Sequence, residues 1–576
     1  MAGQPKPAFY AVLGLVVLGL VAFAIYRADI FAPEEKSPVD EGAAKIDMGE
    51  LGQTAEATDT ASVTTVKEYA FVPGERLPEV KGVSAYEPLE NNTVKFALNV
   101  WAGWGPIVLA NNGFKPGKVW KTPDGQDFRL ELVLIDDPVQ MRNAYAAGKV
   151  HIGWGTLDMV PLFVDGFART GDSRIMPRIY QQVDWSNGGD GIVARESIRS
   201  VSDLRGKKIV LAQNSPSQYF VLNMLVAGGV QPSEVEMIYT NTAFEAARAF
   251  EVQKDIAAAV SWAPDIYNLA KVKGNRMLVT TQTANKLIAD VWFARADFAK
   301  DHAGIVEGLV RGIFDAMEAM KNEDQRKQAA KLMAEGYGIP ETDALGMMGD
   351  AHNTNWAENY QFFLNQNNPT NFERIWRQSY YLYRRIGKIE NQPVPFDQVM
   401  DFSIISKLGK EPKYASQKDE YQISLTPKTV SEIRAESEEI LTNTVVIHFF
   451  PNSWDLYKKV TKDVDGKPVE ELYDPSVDAV LEEIAKITEQ FGAARVIIEG
   501  HTDASMKGQI PVSLVKELSM NRANAVKEAL VKKYNLDPNK FVAEGMGWER
   551  PADSNDPANH AKNRRVEIKV YPAEQG

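Results

Sequence analysis

The run Val94-Lys95-Phe96-Ala97-Leu98-Asn99-Val100-Trp101 opens a regular alternation in the chain. Four more apolar runs follow, LELVLID (130–136), HIGWGT (151–156), KKIVLAQ (207–213) and IAAAVSW (256–262). Between them lie stretches with helical spacing, among them PVQMRNAYAAG (138–148) and SQYFVLNMLVAGG (217–229). Short apolar runs separated by helical segments read as α/β units around largely parallel sheets. Ligands of such sheets sit at the carboxyl ends of the strands, so the loops there hold the candidate residues. These are Trp101 and Trp104, Thr156 and Asp158, Ser186 and Asp190, then Ser215, Ser217 and Gln218 where a helix opens, and Trp262 and Asp265. Each has a plainer role open to it: the tryptophans as core, the serines as helix caps, the aspartates as turn caps or arginine partners. No Arg or Lys stands in these loops, whereas a strongly anionic ligand usually calls for a bidentate arginine. An aromatic or amine-bearing ligand suits them better, although the helix opening near Ser217 offers backbone N–H groups to an anionic one.

Composition bounds the rest. The 576 residues hold 64 Lys+Arg against 77 Asp+Glu, a formal charge of −13. With a pI near 5.2 and no basic stripe interleaved with aromatics, nucleic acid is not an expected partner. The chain has no Cys, which removes disulfides, thiolate nucleophiles and cysteine-held metal centres. Its six histidines are scattered without an H-x-x-x-H pair, and no P-loop, G-x-S-x-G elbow or kinase signature is present. The sequence therefore predicts neither an enzyme nor a metal or cofactor site.

Ala8 to Tyr26 (AFYAVLGLVVLGLVAFAIY) is an uncharged run close to the ~20 residues that cross a bilayer as a helix. Lys6 precedes it, and Asp29, Glu34 and Glu35 follow beyond Arg27, which places the amino terminus in the cytoplasm and the rest outside. Ala22-Phe23-Ala24 offers the alternative of a cleaved signal peptide. The expected division is 1–30 for the cytoplasmic tip and transmembrane anchor, 31–91 for a flexible linker, and 92–405 for the α/β lobes. A polar connector with one helical portion then covers 406–441, and a last domain 442–576.

The ordered motifs W-x-G-x-x-P (101–106), A-A-G-x-V-x-I-G (146–153), D-G-I-V-A (190–194), S-V-x-D-L-x-G-K-K-I (200–209) and A-x-V-S-W-x-P-D (258–265) resemble the periplasmic solute-binding proteins of the taurine, aliphatic-sulfonate and thiamine-precursor type. The resemblance implies two α/β lobes joined by crossing strands, one built near 193–264, with a small molecule clamped between them. It implies the loop residues above as its pocket.

The last domain reads as β-α-β-α-β-β: Thr444–Phe450, a helix carrying Val477 to Phe491, Arg495–Glu499, a helix carrying Leu514 to Leu530, then FVAEG and RRVEIKVY. G-H-T-D (500–503), L-S-x-x-R-A-x-x-V (518–526), G-x-G-x-x-x-P (545–551) and N-R-R-V-E-I (563–568) are similar to the OmpA-like peptidoglycan-binding domain. That resemblance implies an α/β sandwich gripping the diaminopimelate of a wall stem peptide, with Thr502, Asp503, Arg522, Asn563 and Arg565 at the site. Asp503 would accept from the ammonium and Arg522 bind the carboxylate; the alternative is that the two simply pair with each other. The chain departs from the common pattern at Val515, where Asn is usual, and in a long loop from Ala504 to Leu514.

Together these readings predict a single-pass inner-membrane protein, mostly periplasmic, with peptidoglycan and a small molecule as partners and a membrane complex as a further candidate. Two readings compete with this: a purely structural tether whose lobes bind no ligand, and a stator-like, wall-anchored part of an ion-driven complex. For the latter, Asp29 is the one acid near the apolar run, and it lies beyond its end.

Overall fold

The computed structural model describes Glu56, residues 70–464 and residues 467–573. Among them no helix is long and apolar enough to cross a membrane, and the run Ala8–Tyr26 lies outside them.

The first lobe is built on a seven-stranded sheet ordered Ala351–Asn353, Pro177–Ser186, Ala289–Arg295, Ile152–Thr156, Thr93–Leu98, Asp127–Leu134, Val119–Lys121. The second holds five strands ordered Asn275–Thr280, Asp190–Arg195, Ile256–Trp262, Lys208–Ala212, Glu236–Thr240. The sheets are mixed rather than largely parallel. Thr93–Leu98 runs parallel to both its neighbours, but Ala289–Arg295 is antiparallel to Ile152–Thr156 and to Pro177–Ser186. The reason is the crossing topology: Pro177–Ser186 passes into Asp190–Arg195 of the other lobe, and Asn275–Thr280 returns into Ala289–Arg295, so strands enter each sheet from both directions. Buried side chains on these strands, such as Phe96, Leu98, Ile152, Val291 and Phe293, form one continuous core.

Local chemistry fixes the helix starts. Asp137 accepts from the backbone N–H groups of Val139 and Gln140 at 2.8 and 2.9 Å, ahead of Pro138–Ala146. Thr242 and Glu245 form a capping box on Ala243–Val252.

Residues 70–91, expected as free linker, lie against the lobes. Gly74 N–H donates to Ile386 O, Ser233 N–H to Ala70 O, Arg76 pairs with Glu390, and Leu77 is buried. The connector carries three short helices, Ser403–Leu408, Pro412–Ala415 and Val430–Glu436, rather than one.

The carboxyl-terminal sheet is ordered Leu441–Val445, Arg565–Pro572, Ala494–His501, Phe541–Gly547, with the helices Val477–Gln490 and Val512–Tyr534. Its first strand starts and ends earlier than the apolar run suggested, because His448 N–H turns to the Asp474 carboxylate at 3.0 Å. A separate hairpin, Lys459–Val464 with Lys467–Leu472, interrupts the predicted order before the first helix.

This domain rests on the lobes. Ile440, Leu441, Ile487, Phe491 and Val570 belong to the lobes' hydrophobic core. Lys286, in the crossing segment between the lobes, pairs with Glu489 at 2.5 Å, and Asn443 donates to Ala227 O at 3.0 Å.

Candidate functional site

Two glycines set the carboxyl-terminal site. A Cβ on Gly500 would lie 2.1 Å from Ser519 O, and one on Gly545 would lie 2.2 Å from Lys516 O. Only glycine lets the helix Val512–Tyr534 lie this close to the sheet. Ser519, buried in that contact, donates to Lys516 O and accepts from Gly547 N–H, both at 2.9 Å. Helix and strand end are thereby locked; Arg522 lines a depression there, and Asp503 adjoins it through Arg564, another of its lining residues. The depression is shallow, and Phe449, His501, His560 and Arg565 complete its lining among others.

Arg522 and Asp503 do not pair with each other. The Asp503 carboxylate accepts from Ser505 N–H at 2.7 Å and from Arg564 Nε at 2.5 Å. Arg522 Nε donates to Ser453 O at 2.9 Å, its guanidinium stands 5.0 Å from the Phe449 ring centre, and its two Nη atoms grip the Glu56 carboxylate at 3.0 and 2.5 Å. The other expected residues have different work. Asn563 donates to Asp556 O and Asn559 O and accepts from Asp553 N–H, which pins the preceding loop. Arg565 pairs with Glu567 and donates to Asn563 O and Arg550 O. Thr502 is buried with its hydroxyl unpartnered among the described residues, and its N–H donates to Gly547 O. Val515 is buried at the start of the helix.

Beneath the site, the ligand atoms of Glu499, His501 and Glu567 lie within 4.8 Å of one another. Their charge is met from within, by Arg434 on Glu499, Arg565 on Glu567 and Lys569 beside both. Burial opposes the Glu499 charge, but His501, Lys569 and Arg434 hold its carboxyl below the usual range. The trio needs no ion.

The junction of the two lobes, where a ligand cleft is expected, is acidic. Asp290 stands in register with Asp184 on one neighbouring strand and with Thr156 on the other. Asp158, Asp184, Asp190, Asp290 and Asp350 are all buried, and no Lys, Arg or His pairs with any of them among the described residues. Burial pushes the carboxyls of Asp158, Asp184 and Asp190 up to about 7 and that of Asp350 to about 6. Asp290 is raised further, by burial and then by the charges of Asp184, Asp190 and Asp158. Neutral groups hold them: Trp101 Nε1 donates to Asp184 at 3.2 Å, Tyr267 OH to Asp350 at 2.8 Å, and Tyr383 OH to Asp158 at 3.5 Å.

Ser186 and Asp190 join the crossing strands. Ser186 Oγ lies 2.7 Å from Asp190 Oδ2 and 2.8 Å from Thr281 Oγ1, and Thr281 accepts from Gly188 N–H at 2.9 Å. Trp101 packs over Gly189, where a Cβ would lie 2.4 Å from its ring. Trp104 departs from the expected pocket: it is buried beside Phe96 in the first lobe and donates to Asn99 at 2.8 Å. Ser215 donates to Ala212 O rather than capping, and Gln218 accepts from Asn214 N–H and donates to Tyr239. Ser217 is fully buried with its hydroxyl unpartnered among the described residues. Trp262 ends the central strand of the second lobe, in register with Asp190, and it and Asp265 are half-buried.

Comparison with known proteins assigns both parts. The NMT1/THI5 like family model matches residues 128–327, and the OmpA family model matches residues 470–565. The chain joins an NMT1/THI5-like domain to an OmpA-family domain. The Taurine-binding periplasmic protein of Escherichia coli K12 is 28% identical over 222 residues, 37% of this chain and 66% of that one. Outer membrane protein Omp38 of Acinetobacter baumannii is 35% identical over 109 residues, 19% of this chain and 28% of that one. The solved periplasmic aliphatic sulphonate binding protein SsuA of Escherichia coli matches over 54% of this chain and 98% of its own, with 18% identity and a TM-score of 0.42.

Sequence reasoning missed several residues of these two domains. In the OmpA-family domain Arg564, which the sequence leaves between ligand support and packing, holds Asp503. In the NMT1/THI5-like domain Asp184 and Asp290 lie inside apolar strands, where only the rarity of buried carboxylates marks them. Asp350, Thr281, Tyr267 and Tyr383 carried no local signal.

Proposed function

We propose that the chain is a cell-envelope protein of the inner membrane whose periplasmic part combines a small-molecule-binding module with a non-covalent grip on peptidoglycan. The anchor is the run Ala8–Tyr26, the binding module spans 92–405, and the wall module spans 442–576. It works as a sensor, transport-associated receptor or scaffold, not as an enzyme. The observation that carries the wall half is Arg522, a buried arginine presenting a two-pronged carboxylate grip, beside Asp503, a buried carboxylate. Opposite charges held apart on a rigid helix and strand end suit the zwitterionic end of diaminopimelate. Co-sedimentation of the full chain with purified diaminopimelate-type sacculi tests this. Wild type pellets and Arg522→Ala loses at least about thirtyfold in affinity, since truncating one side of a buried charge pair costs roughly 2 kcal/mol or more. Equal pelleting of both overturns the reading.

For the cleft, the uncompensated buried aspartates favour a ligand carrying an ammonium or amidinium over the sulfonates named for the relatives. Burying carboxylates without a counter-charge is costly, and a cationic ligand supplies that charge while displacing their protons. Thermal-shift screening at pH 8 with diamines and with alkanesulfonates checks it. Stabilisation by sulfonates alone would contradict it.

A further inference from the structure

The wall site of the OmpA-family domain is already satisfied from within the chain. Glu56 lies far outside that domain in sequence, yet its carboxylate is 2% exposed and faces Arg522 in bidentate geometry at 3.0 and 2.5 Å. Its fixing is not limited to one arginine. Glu56 Oε2 also accepts from Asn452 N–H at 3.0 Å, Glu56 N–H donates to Asn452 Oδ1 at 3.3 Å, and Arg564 Nε stands 3.9 Å from Oε1. Burial opposes the charge, but Arg522 and Arg564 hold this carboxyl below its ordinary range, so it is ionised at neutral pH. The acidic half of the site has an internal partner as well, because Asp503 accepts from Arg564. Glu56 thus stands where a ligand carboxylate would sit, and Arg564 where a ligand ammonium would sit.

We propose that Glu56 is a built-in competitor for the wall-peptide carboxylate, so that the chain grips peptidoglycan only when Glu56 is displaced from Arg522. The proposal rests on the wall-binding reading of Arg522 and Asp503. The physical case is one of local concentration and shared chemistry. A tethered carboxylate reaches an effective concentration in the millimolar range without any diffusional search. It uses the same two guanidinium donors that the ligand needs, so both cannot be bound together. The apparent affinity for the wall peptide is then reduced by the fraction of molecules in which Arg522 is free.

The test is calorimetric titration of the full chain in detergent with meso-diaminopimelate and with the tripeptide Ala-γ-Glu-diaminopimelate. Wild type, Glu56→Gln, Glu56→Ala and Arg522→Ala are compared. If Glu56 occupies the site in nine molecules of ten, both Glu56 variants bind about tenfold more tightly than wild type, and Arg522→Ala does not bind. Glu56→Gln keeps the side chain's shape but removes its charge and one of the two acceptors that Arg522 grips, so agreement between the two variants separates release of the site from a fault in folding. Binding by wild type that the Glu56 substitutions leave unchanged or weaken overturns the competitor and leaves the wall reading standing. Absence of binding by wild type and both Glu56 variants, or full binding by Arg522→Ala, overturns the wall reading and the competitor with it.

Discussion

Raising the pH from 5 to 8 is expected to destabilise the two-lobed part of the chain. The carboxyls of Asp158, Asp184 and Asp190 are carried from an ordinary value of 3.8 to about 7, chiefly by burial. A group whose pKa is raised by folding holds its proton more tightly in the folded state. The stability it contributes is complete below about pH 4 and is lost as pH climbs through 7. For one such carboxyl a shift of about three units is worth on the order of 4 kcal/mol, of which roughly 2 to 3 kcal/mol falls between pH 5 and 8. The charge of Asp190 acts on both Asp158 and Asp184, so their effects do not sum. The OmpA-family domain does not mask the effect: Glu499 and Glu567 are held below 4.5, and they lose their contribution only as pH falls below that value. Urea unfolding followed by tryptophan fluorescence is the assay, because nine of the eleven tryptophans precede residue 406. The midpoint should fall from pH 5 to pH 8, and Asp190→Asn, which keeps a partner for Ser186, should flatten the dependence. A midpoint that is constant or rises over that interval would refute the reasoning.

Three further outcomes follow from particular contacts. Gly500→Ala places a methyl 2.1 Å from Ser519 O, and the forced shift of the helix should cost roughly 2–3 kcal/mol in denaturant unfolding and weaken retention on sacculi. Lys286→Ala leaves Glu489 without its partner at the contact between the domains. A loss of about 1–3 kcal/mol is expected, since the pair is partly exposed and Lys540 also faces Glu489, and it is largely recovered by pairing Lys286→Met with Glu489→Leu in the same unfolding assay. Asn563→Ala frees the loop that its amide pins, lowering stability by about 1–3 kcal/mol while retention on sacculi survives, which separates its role from that of Arg522.

Much of the fold was legible because its signals are local. Alternating apolar runs marked the lobes, and the G-H-T-D and L-S-x-x-R-A motifs placed Asp503 and Arg522 together, since their glycine and serine enforce the contact that unites helix and sheet. The hairpin at 459–472 was missed because its strands are exposed and charged, although Asp465-Gly466 is a strong hairpin signal. Mixed strand direction was hidden because periodicity reports burial, not polarity. In the cleft, loop position brought Asp158 and Asp190 to notice but could not reveal that Asp184 and Asp290 face each other across neighbouring strands. Trp104 reads like Trp101 in the sequence; one meets the cleft and the other the lobe core because a tight turn from Ala102 to Trp104 separates them. Glu56 carried no signal at all, since its meaning depends on an arginine 466 residues away.

The most direct test of the account is a crystal structure of residues 54–576 with Ala-γ-Glu-diaminopimelate. The account predicts the diaminopimelate carboxylate on the two Nη atoms of Arg522 at about 3 Å in place of Glu56, and its ammonium on Asp503. A peptide bound elsewhere, with Glu56 still seated on Arg522, would contradict it.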